Sequence, residues 1–177
     1  MERELIITWL NLKLRNLDAM TNLKITALIF LLFSCFNVYA DDILPVFSFP
    51  DTDEKTRSIS EWHGKTLVIN FWATWCQPCL KEIPEFVQLQ TQFEKKNVQF
   101  IGIAIDELSA VARYKNATGM NYPVLISSEW DGFNLAQQLG NSSNTVPYTV
   151  VVNSAGQIIY RHAGAVKKED LFAVIVK

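Results

Sequence analysis

The chain has 177 residues, of which 49% are hydrophobic, and a formal net charge of −2 at pH 7. This length suits one ordinary domain, and the apolar fraction excludes an intrinsically disordered chain. From Asp41 onward acidic residues slightly outnumber basic ones and no basic run occurs, so nucleic acid is not an expected partner.

Residues 1–40 have the pattern of a leader. Lys24 precedes an apolar run over residues 25–33, and a Val-x-Ala cleavage site ends at Ala40. This pattern predicts a signal peptide over 1–40, with Met20 as an alternative start, and therefore an exported protein. An uncleaved leader that anchors the domain in the membrane is the competing interpretation, although the run is shorter than the ~20 apolar residues of a spanning helix.

The remaining region, 41–177, contains no repeat or linker and is interpreted as one domain. Residues 66–71 (TLVINF) and 98–105 (VQFIGIAI) are continuous apolar runs, which is typical of strands covered on both faces. Between them, apolar residues keep helical spacing from Leu80 to Phe93. The three segments predict a β-α-β unit with a right-handed crossover.

The second half predicts an antiparallel addition to that unit. In chain order we expect a helix over 106–115 that stops near Gly119, a strand over 122–127, a helix over 132–140, a hairpin over 148–162 and a helix over 168–176. The predicted fold class is α/β, with a mixed central sheet and helices on both faces.

Removal of the leader also removes Cys35, which leaves Cys76 and Cys79 in the sequence WCQPC. A purely structural disulfide is a weak interpretation. A disulfide that closes so short a loop stabilises the folded state by an amount near the low end of the ~0–5 kcal/mol range. A structural metal site needs a second ligand pair. The two histidines, His63 and His162, have no ligand spacing. We therefore expect no metal, and interpret His63 as a loop residue before the first core strand and His162 as a surface residue at a strand end.

The position of the two cysteines at the predicted start of a helix favours a catalytic role over a structural one. Cys76 would lie at a helix N-terminus, where free N–H groups and the helix dipole favour the nucleophilic thiolate and lower a thiol pKa to ~3.5–7.5. Cys79, one turn later, can resolve a mixed disulfide. Pro78 fits the first helical turn.

The segment INFWATWCQPCLKEIPEF, preceded by GK, closely resembles the thioredoxin-like family of exported thiol–disulfide oxidoreductases of the TlpA and ResA type, which includes the cytochrome c maturation reductases. The segment FSFPDTDEKTRSISEWHGK resembles the N-terminal hairpin of that family. The resemblance implies a thioredoxin fold with a hairpin extension, reversible dithiol–disulfide exchange, and no cofactor. It also implies that Cys76 is the attacking cysteine and Cys79 the buried resolving one.

The resemblance assigns further residues around the cysteines. Pro147 matches the family's cis-proline, which would turn Val146 so that its backbone pairs with a bound peptide strand. Trp75 is expected to cover the disulfide, and Trp72 to pack in the core. Trp62 and Trp130 have no assigned role and are expected to be packing residues.

Glu82 matches a family glutamate that moves protons on and off the resolving cysteine. Such a role requires a carboxyl whose pKa is raised by burial. Asn70 stands where thioredoxin itself has a buried aspartate, and Gly102 stands where it has the partner lysine. Glu82 is therefore the remaining candidate proton carrier.

The predicted function is two-electron exchange with exported proteins that contain thiols or disulfides. The resemblance favours a reductant in the periplasm or a similar location, fed by a membrane electron donor. Two alternatives stay open on the same fold. One is a peroxiredoxin-type peroxidase, although Thr74 lies two residues before Cys76 and the proline expected in a peroxidase loop is missing. The other is a metallochaperone that binds Cu(I) through paired thiolates.

Overall fold

The fold was analysed in a computed structural model, which describes residues 42–176. The predicted signal peptide over 1–40, the start at Met20 and the alternative membrane anchor lie outside the described residues. Within residues 42–176, none of the helices has both the length and the apolar character that crossing a membrane requires.

Seven strands and four α-helices follow one another in the described part of the chain. They are β1 (Ser48–Pro50), β2 (Thr56–Ser58), β3 (Thr66–Trp72), α1 (Gln77–Phe93), β4 (Val98–Ile105), α2 (Leu108–Thr118), β5 (Val124–Ser127), α3 (Glu129–Gln138), β6 (Tyr148–Val152), β7 (Ile158–Ala163) and α4 (Lys168–Ile175). Short 3₁₀ turns occupy Ile59–Trp62 and Glu94–Lys96.

Five strands form the central sheet in the order β5-β4-β3-β6-β7. β3, β4 and β5 are parallel, whereas β6 and β7 run antiparallel to β3 and to each other. β3 is a central strand and is buried along almost its whole length, which explains its continuous apolar sequence. The predicted mixed sheet is confirmed.

The sheet separates two hydrophobic clusters. One packs α1 against the sheet through residues such as Phe86 and Phe93, and it also contains Leu171 of α4. The other lies on the opposite face and contains Leu135 of α3 and Trp62 of the first 3₁₀ turn. Helical elements therefore cover both faces, as the predicted fold class requires.

An N-terminal hairpin precedes the central sheet. β1 and β2 pair antiparallel, with Phe49 opposite Arg57. The chain then enters the first 3₁₀ turn through a capping box, in which Ser58 and Glu61 satisfy each other's backbone N–H groups. The hairpin extension implied by the resemblance is thus present.

The start of α3 differs from the prediction. The helix begins at Glu129, three residues before the expected Gly132, because the Ser128 hydroxyl accepts a hydrogen bond from the N–H of Asp131 at 3.1 Å and caps it there. Trp130 is consequently on the outer side of the first turn and is 77% exposed. The expectation that Trp130 is a packing residue was wrong, whereas Trp62 and Trp72 are buried as expected.

Candidate active site

The two cysteines lie where β3 gives way to α1. Cys76 is the N-cap residue of α1, and Cys79 lies in its first turn. Their sulfurs form a disulfide, and their Cα atoms are 5.3 Å apart. The backbone N–H of Cys79 donates a hydrogen bond to Sγ of Cys76 at 3.3 Å. Cys79 is fully buried, whereas Cys76 retains 4% exposure, so Cys76 is the less buried of the two cysteines.

A carboxylate from the next parallel strand holds the segment before Cys76. Oδ2 of Asp106 accepts hydrogen bonds from both the backbone N–H and the hydroxyl of Thr74. Asp106 directly follows β4, and β3 and β4 are parallel neighbours, so their carboxyl ends meet at the same edge of the sheet. Sequence reasoning missed this contact, although the position of Asp106 behind a buried strand was a signal for it.

Glu82 lies one turn after Cys79 on the same helix and is only 3% exposed. Its Oε1 accepts a hydrogen bond from Nδ2 of Asn70 at 2.9 Å, and its Oε2 accepts one from the N–H of Val166 at 3.0 Å. Burial raises the pKa of Glu82 from 4.5 to about 7, although these two hydrogen bonds act in the opposite direction. A carboxyl with this pKa exchanges a proton near neutral pH.

Asn70 connects Glu82 to the antiparallel half of the sheet. Nδ2 of Asn70 also donates to the hydroxyl of Thr149 at 3.0 Å, and all three polar side chains are buried. Because Asn70 is neutral, the site around Glu82 lacks the second carboxyl that an aspartate at position 70 would provide. The contacts with Thr149 and Val166 depend on residues distant in sequence and were not predicted.

Gly102 lies opposite Asn70 in the β3–β4 register. A Cβ atom at Gly102 would lie 2.9 Å from Nε1 of Trp72. The Trp72 indole, which also packs on the Tyr114 ring with centroids 5.4 Å apart, therefore occupies the space that a larger side chain at position 102 would need. Within residues 42–176, the buried Nε1 of Trp72 has no hydrogen-bond partner.

The peptide bond between Val146 and Pro147 is cis. Pro147 immediately precedes β6, and Tyr148 of β6 is opposite Phe71 of β3. This register places the cis bond beside the carboxyl end of β3, the end from which the chain continues to Cys76. The carbonyl oxygen of Pro147 accepts a hydrogen bond from the N–H of Gly164 at 2.8 Å.

Trp75, directly before Cys76, is 62% exposed. It thus provides an apolar surface next to the disulfide, in contrast to Trp72, which is fully buried. The expected covering of the disulfide by Trp75 stays a prediction.

The two histidines lie in different parts of the fold. His63 follows the first 3₁₀ turn and is exposed, and His162 lies half-buried in β7, where its ring stacks on that of Tyr160. Over the described range 42–176, no group of three or more His, Cys, Asp or Glu side chains is arranged to hold a metal ion.

The comparisons with known proteins agree with one another. The family model for Redoxin matches residues 39–175. The thiol-disulfide oxidoreductase ResA of Bacillus anthracis is 29% identical over 134 residues, which is 75% of each chain. ResA of Bacillus subtilis (strain 168) is 28% identical over 119 residues, which cover 65% of this chain and 62% of that one.

A solved structure supports the same relationship. The crystal structure of a thiol:disulfide interchange protein of the thioredoxin family from Chlorobium tepidum TLS has a TM-score of 0.70 and 28% identity, and it covers 78% of this chain and 97% of that chain. The predicted thioredoxin-like fold and the resemblance to the ResA type are confirmed. Since the family model spans residues 39–175, this chain belongs to the redoxin family.

Proposed function

We propose that this protein is an exported thiol–disulfide oxidoreductase that reduces disulfides in protein substrates. The observation that carries the proposal is the Cys76–Cys79 pair at the N-terminus of α1, with Cys76 slightly exposed, Cys79 fully buried, and the buried carboxyl of Glu82 one turn away. The names of the ResA relatives and of the Chlorobium tepidum structure support oxidoreductase activity.

The first step is attack by Cys76. In the reduced protein, the free N–H groups of the α1 N-terminus stabilise the Cys76 thiolate, and the N–H of Cys79 already points at this sulfur. The thiolate attacks one sulfur of the substrate disulfide. A mixed disulfide forms with Cys76, the substrate S–S bond breaks, and the first substrate thiolate leaves and takes a proton from water.

The second step needs a proton acceptor for Cys79. The Cys79 thiol gives its proton to the Glu82 carboxylate and attacks Sγ of Cys76. The Cys76–Cys79 disulfide forms, and the second substrate sulfur leaves as a thiolate. The protein loses two electrons and the substrate gains them. With its pKa at about 7, Glu82 is ionised in a large fraction of molecules at neutral pH and accepts this proton readily.

The substrate-binding residues are Trp75, Val146 and Pro147. We assign Trp75 to apolar contact with the substrate because its exposed ring adjoins Cys76. Val146 precedes the cis bond at the same edge of the sheet, where its backbone would pair with an extended substrate segment.

Export and the source of electrons complete the proposal. The leader pattern over 1–40 and the resemblance to exported oxidoreductases support a periplasmic or otherwise exported location, either after cleavage or anchored to the inner membrane. The domain itself would extend over 41–177. A membrane dithiol donor would regenerate the reduced pair by the same exchange chemistry. Substrates would be exported proteins with cysteine disulfides, such as an apocytochrome c before haem attachment.

The test is a redox titration of the Cys76–Cys79 couple against glutathione or dithiothreitol, with Cys79→Ala as the control that cannot form the internal disulfide. A midpoint of about −270 mV, where thioredoxin lies, supports a reductant. A midpoint of about −120 mV characterises an oxidant that introduces disulfides and would refute the proposed direction.

A further inference from the structure

A cleft of about 700 Å³ adjoins the active-site segment. It lies where β4 and β5 end, at the same edge of the sheet from which the chain continues to Cys76. Apolar side chains from four elements and from the loop before α1 line much of it, namely Phe49, Pro50, Trp75, Ile105, Leu108 and Ile126. Trp75 lines the cleft and directly precedes Cys76, the cysteine proposed to react with the substrate.

The charged groups around the cleft are all acidic. Asp106, Glu107, Glu129 and Asp131 line it, and among residues 42–176 no lysine, arginine or histidine does. Asp106 and Asp131 accept hydrogen bonds from the backbone or hydroxyl groups of Thr74, Glu107 and Ser128. Glu107 and Glu129, in contrast, are exposed, and neither side chain has a hydrogen bond or an ion pair with another described residue.

Stabilisation of helix N-termini does not account for this charge. α2 and α3 both begin at the cleft, and acidic residues in a first turn favour a helix. However, a helix end carries only about half an elementary charge. Four carboxylates outweigh two such ends, so the cleft keeps a negative potential that attracts cations.

The cleft also offers partners for the apolar parts of a bound chain. Trp75, which lines the cleft, is 62% exposed. The indole face of Trp75 can bind the guanidinium of arginine or the ammonium of lysine through a cation–π contact. β5 is an edge strand of the central sheet. Among the described residues its outer side is paired only by the single bridge between Leu125 and Asp51.

We propose that this acidic cleft binds a cationic, extended segment of the protein substrate, rich in lysine or arginine and close in sequence to the cysteine that Cys76 attacks. The inference rests on the proposed function, because the occupant is part of the disulfide-bearing substrate. The cleft gives the exchange reaction a preference among substrates that the cysteine pair alone does not have.

The test uses the purified, reduced protein and two matched peptides. Each peptide has one cysteine in a mixed disulfide with glutathione, followed by either two arginines or two glutamines. The second-order rate constant for release of the peptide thiol is measured in a single turnover, so that no electron donor is required. At low salt we expect the arginine peptide to react about tenfold faster. In about 0.5 M salt this ratio should fall towards one.

The variant that tests the cleft is Glu107→Gln combined with Glu129→Gln. Its matched control is Glu94→Gln combined with Glu169→Gln, which removes the same charge from exposed positions that do not line the cleft. We expect the cleft variant to lower the ratio of the two rate constants at least threefold and the control variant to preserve it. Because the readout is a ratio within one preparation, partial loss of folded protein does not imitate the effect.

The outcomes separate the two proposals. If both peptides are reduced at equal rates, or if the control variant lowers the ratio as much as the cleft variant, the cleft does not bind a cationic segment and the proposed function stands. If neither peptide is reduced, the proposed function fails, and the inference fails with it. A ratio that depends on salt and on Glu107 and Glu129 supports the cleft as the binding site.

Discussion

At the scale of single residues, the site depends on how Glu82 is paired. Its two carboxyl oxygens accept hydrogen bonds from Asn70 and Val166, and both bonds favour the ionised form. Burial outweighs them and raises the pKa to about 7. The Asn70 amide can rotate by half a turn and present its oxygen when Glu82 is protonated. An oxygen in that place accepts a hydrogen bond from protonated Glu82 and from the Thr149 hydroxyl.

The variant Glu82→Gln should slow resolution of the mixed disulfide about 100-fold, because positioned general bases contribute on the order of 10²–10⁴-fold. Glutamine fits the network, since its oxygen accepts from Val166 and its amide donates to the rotated Asn70. The measurement is rapid acid quenching followed by separation of the mixed disulfide. The rate for the natural protein should rise with pH through about 7, and the variant should lack this inflection.

Glu94→Gln is the control for that experiment, because Glu94 is exposed and lies at the other end of α1. A variant Glu82→Gln that resolves the mixed disulfide at the natural rate, with the natural pH profile, would show that Cys79 loses its proton by another path.

The same raised pKa makes the stability of the protein depend on pH. Between pH 4.5 and about 7, the folded state keeps a proton on Glu82 that the unfolded chain has lost. The contribution of Glu82 to the free energy of unfolding is therefore fully present below pH 4.5. It is lost as the pH rises through about 7, by up to about 3 kcal/mol.

Urea unfolding of the oxidised protein at several pH values measures this effect. The free energy of unfolding of the natural protein, minus that of Glu82→Gln, should decrease between pH 5 and pH 8. A difference that stays constant over this interval would mean that Glu82 has an ordinary pKa in the folded state.

At the scale of elements, α3 packs unusually close to the sheet. A Cβ atom at Gly132 would fall on the hydroxyl oxygen of Ser127 and would lie 2.7 Å from Cγ1 of Ile105. Glycine at this position thus permits the approach of the helix, although glycine inside a helix costs about 1 kcal/mol relative to alanine.

Gly132→Ala should for this reason destabilise the protein despite the better helix propensity of alanine. Overpacking a core contact costs about 1–3 kcal/mol, so we expect a net loss of about 1 kcal/mol in chemical denaturation. Gln137→Ala is the matched control, because Gln137 is exposed on the same helix and its replacement should change stability by less than about 0.5 kcal/mol. An equal or higher stability of Gly132→Ala would contradict the close contact.

The elements also show what the sequence can and cannot predict. The strand over 98–105 was predicted with its observed bounds, because a strand buried on both faces has a continuous apolar sequence. The start of α3 was misplaced because Gly132 resembles a helix boundary, whereas the cap at Ser128 decides it. The exposure of Trp130 follows from that start, so one error in a boundary produced the second.

The site was predictable to a similar extent. The cysteine pair and Glu82 lie within seven residues of one another, and local spacing is enough to find them. Val166 and Thr149 reach Glu82 and Asn70 from the last third of the chain. Their placement depends on the pairing of β3 with β6 and on the path of the loop before α4, which no local pattern contains.

At the scale of the whole molecule, the site joins the two halves of the fold. The parallel half contributes Cys76 after β3 and Asp106 after β4, and the antiparallel half contributes the cis bond before β6. Hydrogen bonds from Asn70 and Val166 to Glu82 connect these halves beneath the cysteines. We therefore expect the redox state of the pair to change global stability.

A reductant gives up electrons because folding favours its own disulfide, which is the reverse of a strong oxidant whose reduced form is stabilised. If this protein is a reductant, the oxidised form should resist urea more than the reduced form, by about 1–3 kcal/mol. Unfolding of both forms at pH 7, with and without excess dithiothreitol, measures the difference. The variant Cys76→Ala combined with Cys79→Ala should show no effect of dithiothreitol. A reduced form that is the more stable one would make the protein an oxidant, because the same thermodynamic cycle then gives the folded pair a higher reduction potential than the unfolded chain.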